Sequence, residues 1–281
     1  MNSPTLTIAA CLISASLLCA SSIAISAPAK AQIFSVGIVP QFDSRKIHKI
    51  WRPILIELEK ATGHKFRLRG TPTIPEFEKE FNAGHFDFAY MNPYHAVLAN
   101  NHQGYIPLVR DSGKKLQGVL VVKKSGSIKK VEELSGQTVS FPAPNALGAS
   151  LMIRADLLDL FETEVKPQYV KTHSSVYLNV VLGITKAGGG VQKTLNQQPA
   201  EIRNALHILY KTRRVMPHPF TVHPRVNPTI VAQVKETLLS LNKTAQGKQM
   251  LKKIPVKQMG PTSIKDYATL SELGLERFYE K

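Results

Sequence analysis

GHFDFAYMNPYHAVLA, residues 84–99, decides the fold. Phe86-Asp87-Phe88-Ala89-Tyr90 has the apolar and aromatic content of a short buried strand. Met91-Asn92-Pro93 interrupts it, and Tyr94 to Asn100 reads as the first turns of a helix. Pro93 suits a helix start because it brings no N–H that would be left unpaired. A strand that turns directly into a helix aims backbone N–H groups and a positive dipole end into a crevice. In open α/β sheets ligands bind in that crevice, at the carboxyl ends of the strands. Tyr90, Asn92, Tyr94 and His95 stand at the break and are candidate ligand contacts. The same residue types also serve as ordinary packing and capping groups.

Working outward, the same alternation recurs. Upstream, Gln32 to Val39 and Lys65 to Arg69 read as strands. Between them Ile47, Ile50, Trp51, Ile54, Leu55 and Leu58 keep helical spacing up to Thr62, with Gly63 as the stop and Pro53 predicting a kink or restart. Pro75 to Ala83 is a short helix. Downstream, Ile106 to Val109, Leu116 to Val122 and Thr138 to Phe141 read as strands, with a helix around Val131 to Leu134. Pro142 to Ser150 is a small-residue loop opening a helix over Leu151 to Phe161, a second junction able to offer N–H groups to an anion. Gln168 to Thr172 is a strand, His173-Ser174-Ser175 falls where a helix cap would be, and the helix over Val176 to Leu182 stops at Gly183. Gly188-Gly189-Gly190 reads as a flexible turn, without the spacing of a nucleotide loop. Ala205 to Tyr210 is a strand, Lys211 to Pro228 a connector, Thr229 to Ala245 an amphipathic helix, and Ile264 to Phe278 a last helix. Strands alternating with helices in this way predict parallel βαβ units and an α/β class.

The chain has 281 residues, 43% of them hydrophobic and 20% charged, so it buries a substantial core. Its formal net charge of +16 favours anionic partners. The basic residues occur as scattered pairs such as Lys123-Lys124 and Arg213-Arg214, not as a stripe interleaved with aromatics, which speaks against nucleic acid. Both cysteines, Cys11 and Cys19, lie in the apolar stretch from Leu6 to Ile25, so the body has no thiol for a disulfide, a nucleophile or a metal. Ala29-Lys30-Ala31 fits an A-x-A cleavage pattern, and residues 1–31 are read as an export signal to the periplasm. The stretch lacks a basic n-region and is long enough to remain as a membrane anchor if uncut.

No catalytic constellation is found: there is no GxSxG elbow, no HExxH and no suggestively paired carboxylates. His218-Pro219-Phe220-Thr221-Val222-His223 could hold a metal in principle, but proline beside both histidines and no neighbouring carboxylate favour a loop. The sequence therefore calls for no enzyme activity, no metal and no cofactor. His173, with two hydroxyls at a helix start, is a candidate for meeting an oxyanion, although capping by Ser174 or Ser175 explains the same pattern.

Together these segments resemble the periplasmic phosphate/phosphite/phosphonate-binding proteins of ABC transporters. The resemblance runs from Phe34 to the C-terminal helices and is carried by Val36-Gly37-Ile38-Val39-Pro40-Gln41, by Trp51-Arg52-Pro53, and by Leu58 to Gly63. Gly84 to Pro93, Val131 to Val139 and His173-Ser174-Ser175-Val176 continue it. It implies a two-lobed periplasmic-binding-protein fold, type II-like, with the ligand cleft between the lobes. Lobe 1 would comprise residues 32–118 and 211–281, and lobe 2 residues 119–210. A monomer closing on a small anion and docking on a membrane permease is the implied partner scheme.

The chain also departs from the family pattern. Asn145-Ala146-Leu147-Gly148 stands where the family has a Ser-Thr-Ser run, leaving backbone donors and Ser150. Lys186 stands near the place of a family aspartate, and no Asp or Glu occurs between Val176 and Pro199 to pair with the amine of an aminophosphonate. His173 matches the family histidine, and Tyr90 or Met91 its aromatic position. The expected ligand is a phosphate- or phosphite-like oxyanion ahead of phosphonates. Tyr90, Asn92, Tyr94 and His95 would meet it from lobe 1, and Asn145, Ser150, His173 and Ser174 from lobe 2. The alternative is a sensory subunit of the same fold that signals to a membrane kinase.

Overall fold

The apolar segments assemble into two separate sheets. The computed structural model describes Met1 and residues 30–254 and 256–280. The expected export signal, residues 1–31, and the alternative of an uncut anchor fall almost wholly on residues 2–29, which lie outside the described residues. Among the described residues no helix is long and apolar enough to cross a membrane.

The strands, in chain order, are β1 (Ile33–Ile38), β2 (Lys65–Leu68), β3 (Phe88–Tyr90), β4 (Ile106–Asp111), β5 (Leu116–Lys123) and β6 (Thr138–Phe141). They continue with β7 (Lys166–Tyr169), β8 (Ala187–Val191), β9 (Leu206–Val215), β10 (Pro219–Val222) and β11 (Met259–Pro261). The α-helices are α1 (Ser44–Thr62), α2 (Ile74–Asn82), α3 (Pro93–Gln103), α4 (Met152–Phe161) and α5 (His173–Leu182). After them come α6 (Gln192–Asn196), α7 (Ala200–Ala205), α8 (Pro228–Ser240) and α9 (Ala245–Lys253).

Six strands form the sheet of lobe 1 in the order β11-β4-β10-β3-β1-β2. β1 pairs in parallel with β2 and β3, with Val36 beside Leu68 and Phe88. β10 returns from the far side of lobe 2 and inserts antiparallel between β3 and β4. Five strands form the sheet of lobe 2 in the order β7-β6-β8-β5-β9, with β6 parallel to β7 and β8, and β5 antiparallel to β8 and β9. The fold is α/β and two-lobed, with mixed sheets in place of purely parallel units. The chain crosses between the sheets twice, from Asp111 to Leu116 and from Val215 to Pro219. The residue expectations of 118/119 and 210/211 for the lobe limits fall inside β5 and β9, which pair with each other within lobe 2.

Helix α1 continues through Pro53 with no restart. Ile50, Trp51, Ile54, Leu55 and Leu58 are all buried along one face. At ~1.5–3 kcal/mol for each buried side chain, this outweighs the roughly 3 kcal/mol that an interior proline costs. Its ends are fixed locally: Asp43 accepts from the Lys46 amide at 2.9 Å, and Gly63 closes it at φ 71.

β3 is shorter than the predicted run from Phe86: the chain bends at Asp87, whose amide still donates to the Ser35 carbonyl at 3.1 Å and whose carbonyl accepts from His223 at 2.8 Å. Its carboxylate accepts from the amide and hydroxyl of Ser35 at 2.7 and 2.8 Å and pairs with Arg225 at 2.7 Å.

The glycine run predicted as a flexible turn is instead the buried middle of β8. A Cβ on Gly189 would press into the carbonyl oxygen of Ala149 and lie 2.5 Å from the Phe141 ring. One on Gly188 would lie 2.6 Å from Val176, and one on Gly190 would overlap the Tyr177 hydroxyl. The run lets α5 pack on one face and the turn Leu147–Leu151 on the other, which is a use of glycine in a strand. That turn is π-helical and leads directly into α4, starting earlier than the predicted Leu151.

The predicted connector Lys211 to Pro228 also holds strands. β9 runs on to Val215, and it is the edge strand of its sheet, where water-facing arginines such as Arg213 and Arg214 are tolerated. The last predicted helix is two 3₁₀ segments, Ile264–Leu273 and Leu275–Phe278, parted by Gly274 at φ 59.

Candidate functional site

Three helix starts converge where the lobes meet. Asn92 follows β3 and caps α3, its side chain accepting from the His95 amide at 2.8 Å. Ala146 to Ala149 open the π turn after β6, and His173 is the first residue of α5 after β7. Each lies beyond the carboxyl end of a strand, where the positive end of a helix draws anions; at α3 it is the Asn92 side chain that reaches the cavity, because Pro93 has no N–H and the His95 amide is already capped. Gln41, following β1, and His218, between β9 and β10, complete the polar lining of a cavity of about 10 Å³, measured as room for the centre of a water. Such a cavity takes about one water. Val39, Ile74 and Val191 supply its apolar wall.

The electrostatics of the lining are one-sided. His173 is buried, its Nδ1 lies 3.2 Å from Thr194 Oγ1, and desolvation pulls its pKa down to about 4. His218 is buried as well. Gln41 Nε2 lies 3.2 Å from its Nε2, and with the amide donating the ring is neutral. Burial above all, and then the charge of Lys193 and the neighbouring His173 and His95, hold His218 well below the ordinary imidazole value. Among the residues that line the cavity there is no carboxylate. Among the described residues no three His, Cys, Asp or Glu side chains cluster to hold a metal ion.

Of the eight residues singled out from sequence, Asn92 and His173 line the cavity. Tyr90 stands behind it, stacked on His218 at 5.4 Å, with its hydroxyl accepting from Lys193 Nζ at 3.0 Å. The remaining five are placed otherwise. His95 Nε2 is bound to buried Glu78 at 2.8 Å, leaving Nδ1 without a partner. Tyr94 packs against Tyr279 at 5.7 Å. Asn145 spends its amide on Glu78 Oε2 at 3.1 Å and on the backbone of Glu280, donating at 2.6 Å and accepting at 2.9 Å. Ser150 keeps a buried hydroxyl with no partner in the π turn. Ser174 accepts from Gln198 at 3.3 Å, and the cap of α5 is Thr172, not Ser174 or Ser175: Thr172 Oγ1 accepts from the Ser175 amide at 3.1 Å.

Gln41 and His218, which line the cavity, and Lys193, which bonds Tyr90 behind it, are not among the residues singled out from sequence. Gln41 sits inside a segment that carries the family resemblance, and His218 belongs to the His-Pro motif set aside as a loop. Lys193 had the least signal, a lone cation after a glycine run.

Several bonds cross from lobe to lobe. Asn92 Nδ2 donates to the Asn145 carbonyl at 3.2 Å. Arg154 donates to the Phe278 carbonyl at 2.6 Å, Tyr169 to Glu280 at 2.6 Å, and Arg277 pairs with Asp159 at 2.7 Å. The last residues of the described chain thus tie the lobes together.

The comparisons agree with this architecture. The profile of a family described as "ABC transporter, phosphonate, periplasmic substrate-binding protein" matches residues 36–267. A binding-protein component of an ABC phosphonate transporter from Pseudomonas aeruginosa superposes with a TM-score of 0.81 at 14% identity, covering 88% of each chain. PhnD1 from Prochlorococcus marinus, in complex with methylphosphonate, superposes with a TM-score of 0.80 at 17% identity, over 87% of this chain and 98% of that one. A Xanthomonas citri protein bound to ATP gives 0.68 at 14% identity, over 88% of this chain and 98% of that one. No curated protein matches the sequence significantly. The structural neighbours show the fold, and the matched profile spans most of the sequence: the chain belongs to the periplasmic substrate-binding proteins of phosphonate ABC transporters.

Proposed function

We propose that the chain captures a small phosphorus oxyanion between its lobes, as a monomer, and presents it to a membrane permease. The observation that carries this is the cavity itself: three helix starts, an asparagine, a glutamine and two histidines converge, and no carboxylate lines it. Asn92, His173, His218 and Gln41, with the N–H groups of Leu147 to Ala149, are the proposed contacts, and Ser150 offers a spare hydroxyl close behind them in sequence. The lobes divide, on this reading, at the crossings near 112–115 and 216–218. A cavity with room for one water does not admit a tetrahedral oxyanion, so the ligand enters when the lobes part and is enclosed as they close. The family supports delivery to an importer, and no observation favours the sensory alternative.

Calorimetric titration of the purified protein with phosphate, phosphite, methylphosphonate and sulfate tests the reading. Binding of a phosphorus oxyanion that is lost in His173→Ala supports it. Absence of heat with all four sinks it.

A further inference from the structure

Lys193 opens α6 two residues after Val191, which lines the cavity, and reaches across to Tyr90 in the other lobe. Its ammonium has three donors. One goes to the Tyr90 hydroxyl, the amine lies 5.6 Å from the centre of that ring, and among the described residues it forms no ion pair. The acids in this part of the fold are already engaged. Burial lowers the pKa of Lys193 to about 8, with Asp111 acting weakly against it, and Asp111 accepts from the amides of Gly113, Lys257 and Gln258 at 2.9 to 3.2 Å. Glu78 is divided between His95 and Asn145. Lys193 is thus a half-buried cation beside an oxyanion-type cavity, held for the present by a neutral phenol.

We propose that Lys193 selects the ligand by charge: on binding, its ammonium turns from the Tyr90 hydroxyl to a ligand oxygen, so the cleft takes phosphorus oxyanions without a cationic substituent and rejects aminoalkylphosphonates. The inference rests on the oxyanion reading above. The physical reason is that a phenol is a weak counterpart for a desolvated ammonium, whereas a phosphonate oxygen gives a charge-assisted bond. A ligand ammonium brought to the same place would face Lys193 with no free carboxylate to offset it, and like charges brought together in an interface are strongly disfavoured. The unbranched stem of lysine lets the amine move without displacing α6.

The test titrates methylphosphonate and 2-aminoethylphosphonate into wild type, Lys193→Met, Lys193→Gln and Lys193→Glu, with each variant's unfolding midpoint measured alongside. Wild type is expected to bind methylphosphonate roughly 10- to 100-fold more tightly than the aminated ligand, the worth of one charged hydrogen bond. Lys193→Met is expected to lose about that factor for methylphosphonate and to lose the discrimination, and Lys193→Glu to reverse the order. Lys193→Gln gives the same reading as Lys193→Met should either of the other variants fail to fold. Equal binding of the two ligands by wild type, or unchanged affinity and order in Lys193→Met and Lys193→Gln, overturns the selector while leaving oxyanion capture standing. No binding of phosphate, phosphite or either phosphonate by wild type removes both.

Discussion

Gly189→Ala is a one-methyl change whose consequence follows from the packing of β8. The added Cβ would press into the Ala149 carbonyl oxygen and lie 2.5 Å from Cδ1 of Phe141. Neither neighbour is a flexible chain end. Ala149 is fixed in the π turn, and Phe141 is fully buried in lobe 2. The turn must therefore move away from the sheet. Overpacking of this kind costs about 1–3 kcal/mol, and contact with backbone places this site at the upper end, near 3 kcal/mol. For a domain of this size that corresponds to roughly 6–12 °C in Tm. Residues 146–149 of the displaced turn also line the cavity, so oxyanion binding should weaken together with stability. Gly70→Ala is the control, because nothing lies within 4 Å of its added Cβ and its φ is not left-handed. That substitution should be neutral or stabilise by up to ~1 kcal/mol through the unfolded chain. Urea unfolding followed by circular dichroism reads both. A Gly189→Ala midpoint within about 0.5 kcal/mol of wild type, inside the range of neutral surface substitutions, would refute the close-approach argument.

Two further predictions concern charge. His173 takes up its proton near pH 4 in the fold and near 6.5 when unfolded, so unfolding binds a proton between those values. Stability is therefore complete above about pH 6.5 and falls toward pH 4, by about 3 kcal/mol for this group if the whole shift is realised. His218, shifted in the same direction by burial, adds to the decline. Urea midpoints between pH 7 and 4.5 should show the slope, and His173→Gln should flatten it; an unchanged slope would refute the assignment. Asp111→Ala strands the amides of Gly113, Lys257 and Gln258, which join the first crossing segment to the C-terminal part of lobe 1. It should cost about 2 kcal/mol in the same assay, since part of the loss is recovered by water at this half-exposed segment, and a cost below about 0.5 kcal/mol would exclude the anchoring role.

Local chemistry made most of the elements legible. Residues 84–99 carry their own strand, break and capped helix. Thr138 to Phe141 is bounded by polar and proline residues, and the apolar face of α1 holds one period across Pro53. The α/β class and the family resemblance follow from such segments, because periodicity and capping depend on neighbours within a few residues.

What the tertiary structure alone decided depends on contacts between distant segments. β10 reads as part of a connector until it is seen between β3 and β4, where each neighbour supplies half its ladder. The glycines of β8 look mobile in sequence, yet what immobilises them is a turn some 40 residues upstream and a helix that precedes them. The site shows the same division. Asn92 and His173 are readable because each sits at its own strand-to-helix junction, and His95, Asn145 and Tyr94 look equally eligible until their side chains are found bound to Glu78, Glu280 and Tyr279. Gln41 and His218 come from separated segments, and their common environment, a desolvated pocket with no carboxylate in its lining, exists only where the two lobes meet. A sequence records which groups can donate to an anion; burial and the engagement of their competitors, both products of chain folding, decide which of them remain free to do so.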